Sequence, residues 1–195
     1  MRLALALGMT LAALAPAQAQ QLLVTLDPAQ TKIDWTLGDV LHTVHGTFRL
    51  KSGQIAYDPK TGNAAGEFVV DATSGDSGNH ARDSKMHKDV LQSKLYPEIS
   101  FMPKKVIGSI SGDGSSTLQV RGIFHIHGAD HDITLSVPVQ ATGTQVSART
   151  QFTVPYQDWG MKNPSTLFLR VDKTVQISIA TTGKITNTNK LAELQ

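Results

Sequence analysis

Residues 122–137 read GIFHIHGADHDITLSV, and the fold turns on which of these side chains share a face. Phe124 and Ile126 alternate with His125 and His127, and Ile133, Leu135 and Val137 alternate with Thr134 and Ser136. Successive side chains of a strand point to opposite sides, so a period of two sorts apolar groups onto one face. Val120 and Gly122 extend that face backwards and Val139 extends it forwards. Two half-buried antiparallel strands follow, over 117–127 and 133–139, with a Gly-Ala-Asp turn ahead of His131. His125 and His127 then face solvent, and His131 takes inward parity at a strand end.

Three histidines within seven residues also raise the question of a metal, because neutral imidazole is the commonest metal-ligand side chain. A structural zinc site wants four ligands and a catalytic one three. His42, His45, His80 and His87 offer no sequence-local arrangement that completes the set. The reading adopted is surface histidines and no metal, with a periplasmic metal-binding protein as the competing function.

The same alternation runs through the rest of the chain. Ile33, Trp35 and Leu37 share one parity, as do Val44, Gly46, Phe48 and Leu50. A Lys-Ser-Gly turn then precedes Ile55 and Tyr57, and DPKTGN at 58–63 closes a hairpin. Phe68, Val70 and Ala72, then Ile99 and Phe101, then Phe152 and Val154, mark further strands. The last strand is placed on Leu167, Leu169, Val171, Val175, Ile177 and Ile179, interrupted at Lys173, with Phe168 on the opposite parity. Pro138 falls on an outward position, which suits an edge or a bulge. Alternation fails only over 74–97, where Ser77 or Asn79 can cap a short helix through Met86 that Tyr96-Pro97 ends. About eight strands and one short helical segment predict an all-β, antiparallel, lipocalin-like barrel. A barrel of that size is either filled by its own side chains or holds one ligand.

The first residues are a separate object. MRLALALGMTLAALAPAQA has a positive start, a short apolar run and small residues at 17 and 19, the pattern of a cleaved signal peptide over 1–19. It is too short to span a bilayer. The expected organisation is a barrel domain over 20–185 and a polar, flexible tail over 186–195, in a periplasmic or secreted protein. With no cysteine in the chain, stability must come from a packed interior. Eighteen basic residues against sixteen acidic ones, in no long block, speak against nucleic acid as a partner.

Candidate chemistry is sparse. Asp34, His45, Glu67 and Asp71 take outward parity, so the strands do not gather them into an enclosed acid–base site. Ser74, Ser77 and Ser84 lack a nucleophile-elbow context, and no nucleotide loop or cofactor motif is present. No catalytic residue is assigned, and the chain is read as a binding protein. Arg82-Asp83 either meets a polar ligand head at a mouth or ties the helix to the barrel. Trp159 lies in a loop and is expected either to cap a barrel end or to support the fold. The small residues Gly46, Ala72 and Gly122 on inward faces leave room inside.

Four blocks carry a resemblance. They are VDATSGDSGN at 70–79, Arg82-Asp83 followed by a helix and Tyr96-Pro97-x-Ile99-x-Phe101, Gly122-Ile123-Phe124-x-Ile126-x-Gly128, and PYQDWGMKNP at 155–164. In this order they resemble the YceI-like family of exported, lipocalin-like proteins, over most of the mature sequence. This chain departs from the family in carrying Met86-His87-Lys88-Asp89-Val90-Leu91 after Arg-Asp, and histidine at 125. The resemblance implies a barrel enclosing an apolar tunnel for a long isoprenoid chain, either a polyisoprenoid or an isoprenoid quinone. The residues expected to line it are Trp35, Phe48, Phe68, Val70, Met86, Phe101, Phe124, Ile126, Leu135, Val137, Phe152, Val175 and Ile177. Storage, transport and protection of the lipid are all compatible, as are transient membrane contact and a homodimer. A filled barrel acting as a partner-binding or stress-protective module is the remaining alternative.

Overall fold

The computed structural model describes residues 21–38, 42–110, 113–165 and 170–187. Nine strands form one closed antiparallel sheet: β1 (Leu22–Leu26), β2 (Lys32–Gly38), β3 (Thr43–Tyr57), β4 (Ala64–Asp76), β5 (Glu98–Ile107), β6 (Asp113–Ile126), β7 (Ala129–Thr142), β8 (Gln145–Val154) and β9 (Val175–Asn187). β1 and β2 both lie between β3 and β9, separated by a short turn of 3-10 helix at Pro28–Gln30. Together they make one broken stave, so the barrel has eight positions, and each neighbouring pair runs antiparallel. Closure of β9 onto β1 and β2 joins the two ends of the sheet into a barrel.

α1 (His80–Lys85) follows β4 and passes directly into a π-helical turn at Met86–Val90. Its cap is Asn79, whose side chain accepts the Arg82 backbone N–H at 3.0 Å, satisfying one of the free donors of the first turn. Sequence parity and structure agree at β2, β4, β7 and β8, where Ile33, Trp35, Val70, Ala72, Leu135, Phe152 and Val154 turn inward.

Four expectations are corrected. Lys51-Ser52-Gly53 is no turn: β3 runs straight through it, with register shifts against β4 at Thr47/Arg49 and Leu50/Ser52. Such irregularities change how residues count along a strand, which is why inward positions pass from even (Leu50) to odd (Ile55 and Tyr57). The β6–β7 turn is His127-Gly128, with φ of 53° and 73°, so Ala129 and Asp130 already belong to β7. Two positive φ values are what a two-residue hairpin loop matching strand twist requires. The last strand begins at Val175 and runs to Asn187, beyond the position expected for the tail. Val171 contributes only an isolated bridge, and Leu167, Phe168 and Leu169 lie outside the described residues, as do the signal segment and residues beyond 187.

The small inward residues do a different job from the one expected. The ring of Trp35 lies where a side chain on its cross-strand partner Gly46 would stand, and the ring of Phe101 lies against Gly122. These glycines seat aromatic neighbours instead of leaving space.

Candidate ligand cavity

The barrel is hollow. A cavity of about 650 Å³ runs through it, inside the range of about 300–1,000 Å³ found for small-molecule sites. At one end its wall is built by α1 and the π-turn, through Asn79, Arg82, Lys85 and Met86. Phe48, Phe68, Phe101, Phe124 and Phe152 surround the middle, and Tyr57, Val106, Ile110, Leu118 and Val146 line the far end. Two buried clusters correspond to this division: a larger one beneath the helix and a smaller one around Tyr57, Val106 and Leu118. Outward strand positions carry polar groups instead, the reverse of a membrane-spanning barrel. Among the described residues, no helix is long and apolar enough to cross a membrane.

All thirteen apolar residues expected at the lining border this cavity, and so does Arg82. Asp83 does not. Its carboxylate accepts the Ser77 backbone N–H at 3.0 Å and the Ser77 hydroxyl, while Arg82 donates to Ser77 Oγ at 2.7 Å and Ser77 O at 3.0 Å. The two residues clasp Ser77 from both sides and fix the passage from β4 into α1. Burial pushes the Asp83 carboxyl up, but the Ser77 hydrogen bonds and the Arg82 charge outweigh it and hold it below the usual carboxylate range. His87 joins in: one ring nitrogen meets Ser93 Oγ at 3.0 Å and the other the Gly75 carbonyl at 2.9 Å. Lys85 Nζ donates to Pro164 O at 3.0 Å, strapping the helix to the loop opposite.

That loop closes the same end from the other side. Trp159 stacks on His131 with ring centres 3.8 Å apart and planes 8° from parallel, and its ring centre lies 5.8 Å from that of Phe124. Phe124 in turn meets Phe152 edge-on at 5.7 Å, an arrangement aromatic quadrupoles favour. Burial lowers the His131 pKa, and the opposing Asp130 charge does not restore it. Tyr156 is buried beside this loop, donates to Asp172 O at 2.6 Å, and has its pKa pushed up to about 12 by burial.

The remaining histidines of the opening stretch take different positions. His125 faces outward, its Nδ1 hydrogen-bonded to Asp130 Oδ1 at 2.6 Å. His127 does not face open solvent as its parity predicts: it occupies the hairpin turn, half-buried, with its ring 4.8 Å from that of Tyr96. Among the described residues, no three His, Cys, Asp or Glu side chains gather where they could hold a metal. Outward Asp34 pairs with Lys32, His45 with Thr36, and Asp71 with Thr73. None of these three borders the cavity.

Sequence reading missed most of the far end: Val24, Ile55, Tyr57, Val106, Ile110 and Val146. Ile55, Tyr57 and Val106 lie beyond register shifts in β3 and β5, where strict parity misleads. Val146 had a usable signal, because the alternation of Phe152 and Val154 continues back to it through Thr150 and Ala148.

A closed, water-facing, up-and-down barrel around an apolar interior defines the class of protein. A family model for the YceI-like domain matches residues 24–183, and the chain belongs to that family. BcnA from Burkholderia cenocepacia has a similar structure, with a TM-score of 0.66 at 19% identity, covering 80% of this chain and 98% of that one. A polyisoprenoid binding domain from Saccharophagus degradans, implicated in plant cell wall breakdown, gives 0.65 at 14% identity, covering 83% and 97%. A YceI protein from Campylobacter jejuni gives 0.53 at 14% identity, covering 94% and 92%. At these identities the likeness is one of fold. No curated protein sequence matches the chain significantly.

Proposed function

We propose that this protein is an exported carrier that holds one long isoprenoid lipid, a polyisoprenoid or an isoprenoid quinone, inside its barrel. The observation that carries the reading is the cavity itself: continuous from Met86 to Tyr57, about 650 Å³, and apolar along nearly all its wall. The Saccharophagus degradans domain of the same fold, described as polyisoprenoid binding, supports the choice of lipid. Desolvation supplies the affinity, and the protein needs no cofactor and performs no chemistry on its cargo.

Magnitudes set the class of chain. At about 0.8 kcal/mol per buried methylene, one five-carbon unit contributes about 4 kcal/mol. Association costs about 4–15 kcal/mol in lost freedom. One unit at about 4 kcal/mol therefore does not hold, two hold only against the lower part of that cost, and about four or more exceed it throughout. Export is part of the proposal: residues 1–19 are removed after Ala19, and the barrel works in the periplasm or outside the cell.

Native mass spectrometry of untagged protein, followed by organic extraction, tests the reading. A bound species with the mass of a prenyl lipid, released into solvent, is the expected result. Protein that flies at its bare mass and yields no lipid after mild purification contradicts it. The same spectrum locates the mature N-terminus and so tests cleavage after Ala19.

A further inference from the structure

β7 has two neighbours and treats them differently. Against β6 it pairs from Ala129 to Thr142 without a break, but against β8 it pairs only from Val139 to Thr142. Beyond Val139 the two strands part, and among the described residues one side-chain bond, Thr150 Oγ1 to Ser136 O at 2.9 Å, bridges them. That bond shows that the Ser136 carbonyl faces β8. Backbone groups alternate sides along a strand, so the nitrogen of Pro138 faces β8 too, and proline has no hydrogen to donate. The ladder stops where its donor is missing. On the β8 side, Arg149 and Thr150 border the cavity where this pairing is missing. Trp159, stacked on His131 of β7, lies at the helix end of this seam.

We propose that the lipid is loaded and released sideways, through the seam between β7 and β8, with the Trp159 turn as its gate. This rests on the carrier reading above. The helix end is an unsuitable door, since Lys85, Arg82 and His87 bind it to the surrounding loops. Among the described residues, the polar and ring contacts at the seam are one side-chain hydrogen bond and the Trp159–His131 stack.

The test uses tritiated geranylgeraniol, a linear C20 isoprenoid alcohol, passed from phospholipid vesicles to the mature protein. The chain has no cysteine, so an engineered pair forms one defined bridge. Continuing the register of Val139↔Ala148 sets Ser136 opposite Gln151, and S136C with Q151C staples the seam. Q119C with S136C, a registered pair of the sealed β6–β7 wall, is the control. Oxidation should stop uptake in the first variant and leave it unchanged in the second, and reductant should restore it. Pro138→Val, which returns the missing donor, should slow uptake by about fivefold, the value of roughly one backbone hydrogen bond. Uptake that is equally fast in the oxidised seam staple, the control and Pro138→Val overturns the side door alone. Failure of the unmodified protein to take up the alcohol at all removes the carrier reading, and the door with it.

Discussion

The inner and outer faces of the β6–β7 hairpin share one backbone and carry opposite chemistry. Inward stand Leu118, Phe124, Ile126, Leu135 and Val139, each less than a tenth exposed. Outward stand polar groups in small pairs, such as Gln119 with Ser136 at 3.2 Å and His125 with Asp130 at 2.6 Å. The inner face is held by burial and borders empty space; the outer face is held by screened contacts, each worth little. The histidines show how far position overrides residue type. His131 lies directly across the ladder from Phe124 and is drawn under Trp159, while His125, one residue along from Phe124, hydrogen-bonds Asp130 on the surface.

Breaking the contrast by filling the void should have the largest effect. Val120→Trp with Val137→Trp places two indoles in the cavity, and bound lipid should fall below detection by native mass spectrometry. Circular dichroism should still report a folded barrel. Lipid retained at the level of the unmodified protein would mean that the ligand lies elsewhere.

Emptying the inner face should cost stability. Phe124→Ala removes the ring between Phe152 and Trp159 and should lower the unfolding free energy by about 3 kcal/mol in urea, the lower end for aromatic truncation because the site already adjoins a void. A loss under about 1 kcal/mol would show that the ring is not packed as described. Tyr156→Phe, which strands the Asp172 carbonyl, should cost about 1 kcal/mol by the same measurement.

The inner histidine should sharpen the comparison through pH. His131 is kept neutral by burial, so its folded pKa lies below the ordinary 6.5. Acid protonates the unfolded chain first, and this histidine's contribution is complete above pH 6.5 and lost as pH falls through the depressed value. Melting temperature should therefore fall more steeply below pH 6.5 in the unmodified protein than in His131→Phe. Parallel curves would remove His131 from the account. His125→Ala, on the outer face, should shift stability by less than about 1 kcal/mol and leave bound lipid unchanged.

Much of this contrast was legible beforehand because burial on one face imposes a period of two. Trp35, Phe48, Val70 and Phe124 could be placed inward from parity alone. Parity fails where the backbone adjusts its own count: after Leu50 in β3 and after Pro103 in β5, register shifts turned the far-end residues to unexpected faces. It also says nothing about cross-strand neighbours, direct or diagonal, which is how the rings of Trp35 and Phe101 came to occupy the space over Gly46 and Gly122. Asp83 was legible as a partner of something at the helix, but not of Ser77, because the chain there follows hydrogen bonds instead of alternation. The gap beside Pro138 had a sequence signal in an outward proline, though only the pairing shows which neighbour loses the bond.

The claim beneath all of this is that the barrel interior is dry space shaped for a chain. A high-resolution crystal structure of untagged protein, purified without detergent, tests it most directly. The account expects elongated density with a methyl branch at each five-carbon unit, running from beside Met86 toward Tyr57. An interior filled by ordered water, or collapsed until side chains touch across the barrel, would contradict it.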